Sequence, residues 1–108
     1  MRNTAYKLYQ SSRITVSASA TLASLIAAGT PALAAFPDNT LLVLLYQEDS
    51  TADIRYTDDG ATAASATTPR WPAAGEPAPM DKAMADKVRL YSAAAAYMTV
   101  QVFVRGDN

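Results

Sequence analysis

Leu42-Val43-Leu44-Leu45-Tyr46-Gln47 leads through a polar stretch into Asp53-Ile54-Arg55-Tyr56-Thr57-Asp58-Asp59-Gly60. Val88-Arg89-Leu90-Tyr91-Ser92 leads through a small-residue stretch into Thr99-Val100-Gln101-Val102-Phe103-Val104-Arg105-Gly106. Tyr46 and Tyr91 stand 45 residues apart, and a glycine follows the tyrosine by 14 residues in the first copy and 15 in the second. One strand-turn-strand unit written twice at a period in the 40s is the mark of propeller blades or helical arrays. The period-two alternation inside the copies selects strands: Ile54 and Tyr56 alternate with Arg55 and Thr57, and Met98, Val100, Val102 and Val104 with Thr99, Gln101, Phe103 and Arg105. The expected fold is all-β, with about two to two-and-a-half four-stranded blades.

Outward from the repeat, Leu41 to Tyr46 is continuously apolar, as in a strand covered on both faces. Pro37-Asp38-Asn39 before it is a strong turn signal, and Gln47 to Ala52 reads as a polar hairpin loop. Residues 61–79 carry Pro69, Pro72, Pro77 and Pro79 and read as a loop or extended edge, with Trp71 in the middle as a packing plug. Tyr6-Lys7-Leu8-Tyr9-Gln10 and Ile14-Thr15-Val16-Ser17 form a poorer strand pair around Ser11-Ser12-Arg13, with Tyr9-Gln10 matching Tyr46-Gln47. The same residues support a competing reading. Arg2, Lys7 and Arg13 with no acid before Asp38, an apolar run from Ile14 to Gly29 and Ala32-Leu33-Ala34 make a targeting segment with an A-x-A cleavage site. Against it, Thr15, Ser17, Ser19, Thr21 and Ser24 interrupt the apolar run. Residues 1–34 are thus a partial blade or a targeting segment, and 35–108 the blade-like body; the compartment, secreted or cytoplasmic, stays open.

A second competition concerns residues 80–97. Met80, Met84, Val88, Tyr91, Ala95 and Met98 fall on one helical face, and Ala93 to Ala96 favours a helix. That reading gives a secreted or organelle-targeted small α+β interaction protein without catalytic activity, with a helix at 80–97. The repeat instead asks for two short strands hinged at Asp86-Lys87, and residues 98–104 are a strand in either case.

Composition excludes several classes. The chain has no Cys and no His, which removes disulfides, thiolate metal sites and any Ser-His-Asp or Cys-His machinery made from this chain alone. A formal net charge of −1 gives no basic field for nucleic acid, and no apolar run is long enough for a helical membrane span. Asp49, Asp53, Asp58 and Asp59 lack the Gly-centred spacing of a calcium loop and read as solvated turn acids. A non-catalytic protein without a cofactor or metal is expected.

Val88-Arg89-Leu90-Tyr91 resembles the I-R-V-Y of fucose-binding lectins of fungi and soil bacteria, which are six-bladed β-propellers, and Thr99-Val100-Gln101 occupies their I-T-E position. Asp58-Asp59-Gly60 stands where their W-D-G would be, and Gly29 to Phe36 is similar to the G-T-P-L-A-A-V run that opens a blade. The resemblance implies a carbohydrate-binding protein directed to fucosylated glycans. Its site would use Arg89 as the guanidinium fork, Gln101 in place of the acid, and Trp71 as the stacking ring. Blades that do not close a ring within one chain leave exposed edges, so self-association is the expected accompaniment.

Overall fold

The computed structural model describes residues 5–48, 53–72 and 78–106. The described residues are mainly β and hold seven strands and two short helices: β1 (Ala5–Val16), β2 (Ala20–Thr21), α1 (Leu22–Ala27), β3 (Thr40–Gln47), β4 (Arg55–Thr57), β5 (Ala78–Met80), α2 (Lys82–Ala85), β6 (Arg89–Tyr91) and β7 (Ala96–Gly106). Two antiparallel sheets share one core. The first has the order β1-β7-β3-β5 and the second β2-β6-β4.

Period-two patterning places the core. From β7, Met98, Val100 and Val102 are fully buried and Val104 nearly so, while the residues between them are exposed or half-buried. Across the ladder, Ile14 pairs with Met98, Ser12 with Val100, and Val100 with Leu45. Leu90 from β6 and Ile54 just before β4 close the same cluster from the other side. The Val-rich inner face gives β-branched side chains that pack well on a pleated sheet. At the end of β2, Thr21 caps α1 by accepting from the Ser24 amide at 3.1 Å, and Leu22 and Ile26, four apart, bury one face of that helix.

The all-β class is observed; blade-type meanders are not what these strands build. In a blade, consecutive strands pair within one sheet. Here no consecutive pair does, because β3 and β7 lie in the four-stranded sheet and β4 and β6 in the three-stranded one. Each copy of the repeat therefore crosses from one sheet to the other. Its apolar positions mark what faces the shared core, not a hairpin. The helix expected as the alternative over 80–97 is also replaced. Only Lys82–Ala85 is helical, capped by Asp81, whose carboxylate accepts from the Met84 amide at 2.8 Å. The chain turns at Asp86-Lys87 and re-enters a strand at Arg89, so the hinge lies where the repeat put it.

The two halves of the expected strand pair at 6–17 form one strand, β1, with a bulge between Leu8 and Gln10. Residues 5–33 belong to the sandwich, contributing Ile14, Val16, Leu22, Ile26 and Leu33 to the core. Within the polar loop expected at 47–52, Asp49 and its neighbours to Ala52 lie outside the described residues.

Candidate functional site

The residues singled out from the sequence do not converge. Trp71 is buried at 6 % exposure. Its Nε1–H donates to the Leu45 carbonyl at 3.3 Å, and its ring packs edge-on against Tyr56 with centroids 5.1 Å apart. That is the packing plug read from its Pro-rich surroundings. One edge of Trp71 lines an open cleft of about 240 Å³ with Tyr56, Met80 and Met84, below the ~300–1,000 Å³ usual for small-molecule sites. Arg89 lies on β6, and its Nη2 donates to the Gly60 carbonyl at 3.2 Å. It clasps the turn after β4. Gln101 lies on the four-stranded sheet, on the face turned away from the core.

The turn beside Arg89 is tightly made. Thr62 Oγ1 donates to Asp59 Oδ2 at 2.6 Å, and the amides of Thr62 and Ala61 donate to Oδ1 at 2.8 and 2.9 Å. Gly60 follows at φ +76°, where a Cβ would stand 3.2 Å from Lys87 Cγ. The hydrogen bonds from Thr62, side chain first, and from the Ala61 amide hold the Asp59 carboxyl at about 2. A folded-state value below the unfolded one, ~3.9, stabilises the fold above pH ~4, and this contribution is lost as pH falls through 2. Asp59→Asn should therefore lower the melting temperature at neutral pH, with the gap to wild type narrowing as pH drops from about 4 to about 2. A gap independent of pH would mean that the carboxylate charge is irrelevant to the turn. Asp53 is lowered in the same direction, chiefly by its hydrogen bonds from Arg55.

Gln101 leads to a larger feature. Register fixes which side chains share its face. Leu8 pairs with Phe103 and Phe103 with Leu42; Ser11 with Gln101, Gln101 with Leu44, and Leu44 with Pro79; Arg13 with Thr99 and Thr99 with Tyr46. No element of the described chain packs over these rows, all of whose residues are exposed or half-buried. At one end the face is polar. Arg13 lies over the Tyr97 ring at 3.8 Å and bonds Glu48 at 3.1 Å, while Thr99 Oγ1 donates to the same carboxylate at 3.0 Å. At the other end it is apolar: Leu42, Leu44, Phe103, Leu8 and Tyr6, the last opposite Arg105. Sequence pattern alone hinted at this, since Leu41 to Tyr46 lacks the polar alternation of a one-sided strand. What was read as two-sided burial is burial on one side and an apolar open face on the other.

Among the described residues no cluster of three or more Asp or Glu could hold a metal ion, and no helix is long and apolar enough to cross a membrane. No family model, curated protein or solved structure matches the chain.

Proposed function

We propose that this protein is a non-catalytic, self-associating interaction module that works through the open face of its four-stranded sheet. The observation that carries the reading is the apolar row Leu8–Phe103–Leu42 with Leu44 beside it, on a face that no part of the described chain covers. Contiguous exposed apolar surface of this kind marks protein contact sites. Glu48, the carboxylate at the polar end of the face, is paired with Arg13; away from the face, Asp53 is paired with Arg55 and Arg70, and Asp59 is held by Thr62. This arrangement suits a binding surface better than acid–base chemistry. Leu8→Lys tests it. Leu8 is half exposed on the outer side of β1, so the substitution should cost no more than about 1 kcal/mol of stability while shifting the chain to monomer in light-scattering chromatography. A folded variant that elutes with the wild-type mass would sink the reading.

Carbohydrate binding is the second reading. Gln101 supports it, lying between Leu44 and Ser11 in a face flanked by Tyr46 and Tyr97, where an amide and aromatic rings could meet a sugar. In this version the fucosylated glycans implied by the lectin resemblance would meet the sheet face rather than Arg89 and Trp71. A glycan array on wild type and Gln101→Ala reads it directly. Glycan binding that Gln101→Ala leaves intact would remove this site.

A further inference from the structure

The proposal of self-association leaves open how two copies meet, and the edges of the sheets narrow the choice. β5 is three residues long with Pro79 at its centre; a proline on an edge resists pairing because it has no N–H. β2 and β4 are two and three residues long, and Arg55 of β4 is already bridged to Arg70. β1 is twelve residues long, and its outer edge is covered over only part of that length. The Arg13 amide donates to the Thr30 carbonyl at 2.9 Å, the Thr30 amide returns the bond at 3.0 Å, and Gln10 Nε2 reaches the Pro31 and Ala32 carbonyls at 3.1 and 3.2 Å. Below the bulge no such strap continues: residues 5–8 remain a regular ladder with β7 on one side and have no described partner on the other.

The most exposed large hydrophobic side chains sit on this bare stretch and at the bulge that ends it. Tyr6 is 63 % exposed, Leu8 50 % and Tyr9 53 %. At about 200 Å² per aromatic side chain, Tyr6 and Tyr9 present roughly 230 Å², to which Leu8 adds. The half-buried Phe103 and Leu42 continue the row of Leu8 across the sheet, so pairing at this edge brings the apolar rows of two copies side by side. Lys7 is the single charge between Ala5 and Ser12, and it pairs with Val104, on the opposite side of the sheet from Leu8 and Phe103.

We infer that two copies of the chain pair antiparallel through residues 5–9 of β1, joining their four-stranded sheets across a two-fold axis. An axis perpendicular to the sheet keeps the outer faces on one side. Tyr6, Leu8, Phe103 and Leu42 of both copies then form one apolar band. Ladder alternation supplies the hydrogen bonds. Arg13 faces outward above the bulge, the bulge at Tyr9 shifts the phase by one residue, and so the amides of Tyr6 and Leu8 point away from β7. The partner is thus a second copy, and the contact is a symmetric one in which the same segment serves both sides.

Leu8→Pro removes an outward N–H and leaves the bonds to β7 in place. The variant should keep the wild-type circular dichroism and lower the association constant by about tenfold or more, the loss of two hydrogen bonds and their desolvated partners. In wild type, hydrogen exchange at the Tyr6 and Leu8 amides should slow as protein concentration rises. This measurement decides the matter if Leu8→Pro does not fold. Association of Leu8→Pro at wild-type strength, or exchange at Tyr6 and Leu8 independent of concentration in a protein that does associate, overturns the edge pairing and leaves the sheet-face reading standing. A wild-type chain that stays monomeric overturns both. One that instead binds glycans or lipid vesicles as a monomer through the same residues assigns the face to that ligand.

Discussion

A chain lacking residues 1–34 is expected not to fold. Ile14, Val16, Leu22, Ile26 and Leu33 leave the core with it, all of them at 9 % exposure or less. Each such side chain contributes about 1.5–3 kcal/mol by burial, so their loss is comparable with the ~5–15 kcal/mol by which a domain is stable. The deletion also strips β1 from β7, a ladder that runs from Ala5 to Val16. Residues 35–108 alone should give the circular dichroism of a disordered chain and no cooperative melting. A cooperative transition in that fragment would show that the sandwich does not depend on β1 and would favour the reading of 1–34 as a targeting segment.

Trp71→Ala is expected to cost about 3–5 kcal/mol. It removes the largest side chain of the core, the edge-on packing against Tyr56 and the bond from Nε1–H to Leu45. Arg89→Ala should cost under about 1 kcal/mol, because it removes a single exposed hydrogen bond to Gly60. Paired chemical denaturation curves check the contrast. Had these two residues been partners in one ligand site, both substitutions would spare stability and abolish binding together. A Trp71→Ala protein as stable as wild type would contradict the core assignment.

Much of the strand content was legible because alternation is local. Met98, Val100, Val102 and Val104 declared the inner side of β7, and Ile54 with Tyr56 declared the segment at β4. Partner choice is not local, and there the reading of the sequence departed from the structure. The copies at Tyr46 and Tyr91 share apolar positions because β3, β4, β6 and β7 all face one core, yet each copy divides between sheets. The helical spacing from Met80 to Met98 was satisfied in another way. Met80, Ala85, Val88 and Leu90 are buried through a strand, one helical turn and a second strand, while Met84, on the supposed apolar face, is 37 % exposed. The serines and threonines that interrupt Ile14 to Gly29 also have a structural account. Thr15 is an outward position of β1, and Thr21 and Ser24 form the cap of α1.

The candidate surface was less legible. Gln101 was identified for a position in a motif, whereas its neighbours Leu44 and Ser11 come from distant segments that only the register brings together. Tyr6, Leu8 and Tyr9 looked like one half of a hairpin; their meaning changes once β1 is an edge strand whose other half is strapped by residues 30–32. An apolar residue on a strand does not announce whether a second layer covers it.

Sedimentation velocity of the wild-type chain over a wide concentration range tests self-association most directly. A two-fold assembly predicts a reversible shift from the monomer mass of 11.4 kDa to twice that value as concentration rises. A single monomeric boundary at every concentration would contradict it.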